Sequence, residues 1–137
     1  PHFSPDSKFG APIARTLGNC LAFGNYARLV DLIGPARTME LIYTARFVGA
    51  EEAYGLGLVN EVVPVDRFEQ RLTELAHTIA SHAPLTLTVT KQAVRRIQRH
   101  RRPQGGDDLV VTCYMSADFR EGVEAFLAKR QPVWKGY

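Results

Sequence analysis

Six cations fall within twelve residues: Lys91, Arg95, Arg96, Arg99, Arg101 and Arg102. Lys91, Arg95, Arg99 and Arg102 recur at spacings of four, four and three, which lines them along one face of a helix. Such a stripe reads as a solvated face or as a phosphate-binding surface for a nucleotide-like cofactor, because ammonium and guanidinium groups pair with phosphate oxygens. Nucleic acid fits it less well, since no aromatic residue interleaves with the cations to stack on bases.

Other residues with chemical potential read as structural. Cys20 and Cys113 form no C-x-x-C and have no metal-ligand spacing. They read as free thiols in a reducing compartment. Cys20 has no histidine nearby in sequence to activate it, so it reads as a packed apolar thiol, not a nucleophile. His77 and His82 are five apart on one helix and do not share a face, which speaks against a metal site. Glu51 and Glu52 are adjacent, so their carboxylates diverge, and they suit a helix N-terminus better than paired acid/base work. Gly55-Leu56-Gly57 precedes a strand instead of following one, which makes it a helix stop and not a dinucleotide loop. No G-x-S-x-G nucleophile motif occurs.

The elements that must position these residues sit in a chain of 137 residues, enough for one domain with a core. Its 45% hydrophobic and 23% charged content belongs to an ordinary globular protein. Net charge is a mild +3, equally suited to a polyanionic small molecule and to no anion at all. No apolar run approaches the length of a membrane span, and no basic segment leads into an apolar one, so a cytoplasmic location is expected. The chain begins with Pro1 and not Met, which reads as a processed or partial chain.

Ser7–Gly10 reads as a short extended segment, followed by a loop from Ala11 to Asn19. Leu21–Ile33 has helical period, Gly34-Pro35 punctuates it, and a second helix runs to about Thr44. Arg46–Gly49 is a strand, Ala50–Gly55 a short helix, and Leu58–Val63 a buried strand ended by Pro64. Asp66 and Glu69 have capping-box spacing ahead of a helix about five turns long, with Phe68, Leu72, Leu75, Ala76, Ile79 and Ala83 on its apolar face. Pro84 starts the next helix. A break at Pro103–Gly106 precedes a helix capped by Asp107 or Asp108 and running through Met115. Ser116 begins the last helix, with Asp118 and Glu121 at box spacing and Phe119, Val123, Phe126 and Leu127 as its apolar face. A small α/β portion followed by consecutive helices is the expected order.

Several ordered segments resemble the crotonase (enoyl-CoA hydratase/isomerase) superfamily. They are Ser4–Pro12; Arg28–Gly34 with Ala36, Met39-Glu40-Leu41 and Thr44; Ala50–Ala53 with Gly57–Pro64; Ala83-Pro84-Leu85 with Thr90–Ala93; and Arg120–Arg130 with Pro132 and Trp134. The likeness covers nearly the whole chain and corresponds to the second half of a family member. It implies a helix-rich α/β fold: residues 1–65 as the last ββα turns of the crotonase spiral, and 66–137 as a C-terminal helical region that packs in trimers or hexamers.

It further implies acyl-CoA substrates of fatty acid metabolism. Two backbone N–H groups would form the oxyanion hole, and no cofactor is needed beyond the coenzyme A of the substrate. Those donors and the first hydratase glutamate would lie upstream of Pro1, so this chain alone is expected to be inactive. The second glutamate is expected after the proline that follows Phe9-Gly10, where Ile13 stands, so no catalytic residue is assigned. Ile13 and Leu17 match positions that line the acyl pocket. Lys91, Phe126 and Lys129 match positions near the CoA nucleotide, Lys supplying charge and Phe a stacking surface. The alternatives are an acyl-CoA isomerase instead of a hydratase, or a non-catalytic assembly or CoA-binding module.

Overall fold

The computed structural model describes residues 2–101 and 105–137. Arg102, Pro103 and Gln104, which include one member of the basic stripe and half of the expected break, lie outside the described residues. Strand β1 (His2–Phe3) pairs in parallel with β4 (Glu61–Val62), and β2 (Lys8–Phe9) pairs antiparallel with β3 (Val48–Gly49). The expected strand over Leu58–Val63 shortens to Glu61–Val62. Val59 and Val63 are nevertheless buried, so the apolar run reports burial rather than ladder pairing.

Between the strands, α1 (Ile13–Thr16) is a single turn inside what the sequence suggested was loop. Pro12 starts it: its carbonyl accepts from Arg15 N and Thr16 N, and the Thr16 hydroxyl donates to it at 2.8 Å. Helix α2 (Phe23–Thr44) combines the two expected helices across a kink at Gly34, where φ is 77° and ψ 164°. Pro35 follows at the first turn of the second half, where its missing N–H costs nothing. Helix α3 (Ala50–Gly55) lies where it was expected, with Glu51 and Glu52 in its first turn.

The core is small. Leu41, Val48, Ala53 and Val59 are its buried centre, and Phe9, Ile33, Leu56, Leu58 and Val62 pack around them. Beside it Arg46 bridges two carboxylates, donating to Glu40 at 2.6 Å and Glu52 at 2.7 Å. The hydrogen bonds from Arg46 hold both carboxyls below their usual range.

After a 3₁₀ turn (Val65–Arg67) come α4 (Phe68–Ala80) and α5 (Pro84–His100), with Pro84 at the first turn of α5 as expected. The Asp66–Glu69 capping box does not form: Pro64 directs the chain into the 3₁₀ turn, and neither helical start carries a side-chain cap. Helix α4 is also shorter than expected and ends at Ala80. Both helices have an apolar face, yet every residue from Ala76 to Arg101 is exposed. The chain presents 10065 Å² to solvent. A compact monomer of 15.3 kDa would present about 7100 Å². The α4–α5 pair accounts for much of that difference, because it stands on the body without being covered by it.

Helices α6 (Asp107–Tyr114) and α7 (Ala117–Leu127) return to the segment between α1 and α2, touching Leu17, Gly18 and Asn19. Gly106, not an aspartate, is the N-cap of α6, and Asp107 and Asp108 occupy its first turn. Ser116 caps α7 as expected, its hydroxyl accepting from Phe119 N at 3.0 Å. The buried residues of α7 are Gly122 and Ala125, whereas Phe126 and Leu127 are exposed. The expected apolar face is therefore rotated, because the contact is built on small residues that let backbones approach.

Candidate functional site: the pocket segment and its clamps

Residues 13–20 follow β2 and are held from three directions by the C-terminal third of the chain. The Ile13 carbonyl accepts from both Leu17 N (3.1 Å) and Gly18 N (2.8 Å), closing the single turn. Ile13 and Leu17 are both half-buried. The Leu17 main chain rests on Gly122 of α7, so closely that a Cβ at 122 would overlap the Leu17 carbonyl. Gly18 takes φ 64°. A Cβ there would come within 2.9 Å of the Trp134 ring and 3.0 Å of the Asp118 carbonyl. Glycine is thus needed twice, for conformation and for space. From α6 the Cys113 thiol donates to the Gly18 carbonyl at 3.2 Å, and Asn19 Nδ2 donates to the Tyr114 hydroxyl at 3.3 Å. The Tyr114 ring packs on Phe119 with centroids 4.7 Å apart.

The chain beyond α7 completes the clamp. Asp118 accepts from Lys135 N at 2.6 Å and Gly136 N at 2.9 Å. Glu121 accepts from Val133 N at 2.9 Å and from Arg130 Nη2 at 2.9 Å. The two acids set at capping-box spacing therefore do a different task, fastening the tail that brings Trp134 against Gly18. The Arg130 guanidinium, helped by the Val133 N–H, holds the Glu121 carboxyl at about 2. Next to the segment, Cys20 lines a hollow of about 250 Å³ with Leu21, Phe23, Tyr26, Gly106, Leu109 and Val110. Burial raises the Tyr26 phenol, whose oxygen accepts from Leu21 N at 3.4 Å.

Helix α7 joins the two sets of residues singled out from sequence. Its Gly122 touches Leu17, while Phe126 and Lys129 project at its far end, both exposed. Lys129 sits just past the helix at φ 52°, its N–H donating to the Phe126 carbonyl at 3.2 Å. Lys91 stands apart on α5, and among the described residues no hydrogen bond or ion pair links it to Phe126 or Lys129. Lys91, Arg95, Arg96, Arg99 and Arg101 form no ion pair among the described residues, so their charges face solvent. His77 and His82 are exposed, and no group of metal-ligating residues occurs among the described residues. No described helix is long and apolar enough to cross a membrane.

Gly18 and Gly122 were not assigned a role from sequence, and Cys113 and Trp134 were noted only as a free thiol and as part of the family likeness. For Gly122 a signal existed in the small pair Gly122-x-x-Ala125 on one helix face; for the meeting of Cys113 with Gly18 none did.

A fold of short strands feeding a one-turn helix, with consecutive helices behind it, is that of a crotonase-type protein. The profile described as Enoyl-CoA hydratase/isomerase matches residues 3–137, and the chain belongs to that family. It is similar to a protein of Dictyostelium discoideum named "Probable enoyl-CoA hydratase, mitochondrial", with 34% identity over 92% of this chain and 46% of the relative. It is also similar to a short-chain-enoyl-CoA hydratase of Clostridioides difficile, with 35% identity over 90% of this chain and 81% of the relative. Among solved structures, a methylmalonyl-CoA decarboxylase in complex with 2-nitronate-propionyl-CoA superposes with TM-score 0.88 and 29% identity, over 99% of this chain and 54% of that one. The chain spans about half the length of most of the curated relatives it matches.

Proposed function

We propose that this chain forms the acyl-pocket and coenzyme-A side of an enzyme acting on acyl-CoA thioesters, with the oxyanion-hole donors supplied by residues outside it. The observation that carries this reading is α7, which holds Leu17 by its middle and presents Phe126 and Lys129 at its end. In this arrangement Ile13 and Leu17 form an apolar wall for the acyl chain. Phe126 offers a face to the adenine, and Lys129, with Lys91, supplies charge to the phosphates. The names of the relatives support CoA thioesters as the substrate class. Coenzyme A enters as part of the substrate, and no other cofactor is required by the proposal.

Ile13 supports a second part of the reading. An aliphatic side chain transfers no proton, so two-glutamate hydration is not available at this position. Isomerisation, or binding without turnover, fits the residue better, and the isolated chain is proposed to be inactive. The exposed apolar faces of α4 and α5, including Leu85 at 74% and Ile97 at 54% exposure, support packing against further copies of the chain in a trimer-based assembly. The proposed division is a spiral end (1–65) and an assembly region (66–137), and the proposed setting is cytoplasmic.

The test is calorimetric titration with acetyl-CoA and crotonyl-CoA, alongside an assay for loss of the conjugated enoyl thioester. The expected result is binding without turnover, with Lys129→Ala weakening it about five- to tenfold, the worth of one exposed charge-assisted contact. Unchanged affinity in Lys129→Ala and Phe126→Ala, or no binding at all, would overturn the reading.

A further inference from the structure

The two cysteines lie 93 positions apart in sequence, and the fold brings their side chains together. The Cys113 thiol on α6 donates to the Gly18 carbonyl at 3.2 Å, two residues before Cys20. Cys20 is close enough to Cys113 to help raise its pKa, and lines its hollow with Gly106, Leu109 and Val110 from the start of α6. Leu109 stands one helical turn before Cys113, so both thiols belong to one small neighbourhood between the pocket segment and α6. Each cysteine is free and only partly buried, and the hollow gives a small reagent a way to Cys20.

We propose that Cys20 and Cys113 are a redox-responsive dithiol that closes to an intramolecular disulfide and fastens the pocket segment covalently to α6. The oxidant class is a low-molecular-weight disulfide such as oxidised glutathione. In the first step the Cys20 thiol loses its proton to water, and its sulfur attacks one sulfur of the reagent. The reagent's S–S bond breaks, and one glutathione leaves as thiolate. In the second step Cys113 gives up its proton and attacks the Cys20 sulfur of the mixed disulfide, expelling the second glutathione. The protein loses two electrons and two protons, and one glutathione disulfide becomes two thiols.

The electrostatics of the pair favour that order. Burial first, then the neighbouring Cys20 thiol, pushes the Cys113 thiol up to about 11, which keeps it protonated and slow to attack first. Once Cys20 is in the mixed disulfide, Cys113, held beside the segment by its bond to the Gly18 carbonyl, is the thiol placed to resolve it. The Gly18 carbonyl loses its thiol donor in the process, a small exchange for a bond that closes a ring from residue 20 to residue 113.

The experiment uses the full chain, incubated with oxidised glutathione, quenched with iodoacetamide and digested with trypsin without reduction. The expected product is one cross-link joining Thr16–Arg28 to the peptide that carries Cys113 and ends at Arg120. It should migrate as a monomer, revert with dithiothreitol, and raise Tm by roughly 5–15 °C, as a long covalent loop does. Cys113→Ser should stop at a stable glutathione adduct on Cys20. The wild-type digest decides the matter even if that variant does not fold. Two thiols still free after prolonged oxidation, an adduct on the wild type that never resolves, or disulfide-linked dimers alone would each overturn the proposal.

Discussion

Replacing Gly122 with alanine tests the contact on which the pocket segment rests. Two effects oppose each other. Alanine improves the intrinsic helical preference of α7 by about 1 kcal/mol. Its methyl group, however, meets the Leu17 main-chain carbonyl, which has no rotamer to move into. Relief requires a main-chain shift of α7 or of the pocket turn, and overpacking of that kind costs about 1–3 kcal/mol. With the new Cβ placed on backbone the steric cost should fall at the upper end and win, leaving Gly122→Ala up to about 2 kcal/mol less stable and lowering Tm by up to roughly 10 °C for a chain of this size.

Gly55→Ala is the matched control. It changes the same residue type at the end of α3, with nothing within 4 Å of the new Cβ. It should stabilise by about 0.4–1 kcal/mol, mainly by restricting the unfolded chain. Urea unfolding followed by helical circular dichroism and by Trp134 fluorescence reads both. If Gly122→Ala stabilises as Gly55→Ala does, α7 is not seated on Leu17, and the proposed linkage between acyl and coenzyme positions fails with it.

Further outcomes follow from the same geometry. Glu121 titrates at about 2 in the folded chain against an ordinary 4.5, so its contribution is fully present above 4.5 and disappears as pH falls toward 2. Trp134 fluorescence should report release of the tail within that window. Glu121→Gln should show the released signal at neutral pH, and an acid profile identical to wild type would remove Glu121 from the clamp. Val48→Ala deletes two methyl groups at a site with no solvent exposure and should cost about 2–3 kcal/mol by chemical denaturation; a loss below 0.5 kcal/mol would mean the core is centred elsewhere. Ile97→Asp, on the uncovered face of α5, should leave monomer stability nearly unchanged while shifting sedimentation toward smaller species. Equal sedimentation of variant and wild type at all concentrations would argue against that face as an assembly surface.

Local chemistry made parts of this fold legible from sequence. The bounds of α3, the start of α5 at Pro84 and the Ser116 cap each depend on residues within one turn, and each was read correctly. Asp66–Glu69 had the right spacing for a cap but followed Pro64, whose fixed backbone led into a 3₁₀ turn first. Periodicity in α4 and α5 marked faces suited to burial, but a period says only that a face favours cover, not that this chain provides it. In α7 the large apolar residues were the wrong guide, because the intimate contact used the residue without a side chain. Meetings such as Cys113 with Gly18 or Trp134 with Gly18 depend on the whole path of the chain, and no local pattern encodes them.

The clamp also has a consequence for the order of events during synthesis. Gly18 and Asn19 are held by Cys113 and Tyr114, 95 positions later. At ribosomal rates of 5–20 residues per second, that separation corresponds to about 5–20 s between making the turn and making its first support. Trp134 arrives later still. During that interval the Leu17–Asn19 main chain lacks every contact that α6, α7 and the tail supply, whatever the intervening helices have already formed. The turn at Leu17–Asn19 is therefore translated well before the residues that seat it, and it is a stretch a nascent-chain chaperone would find uncovered.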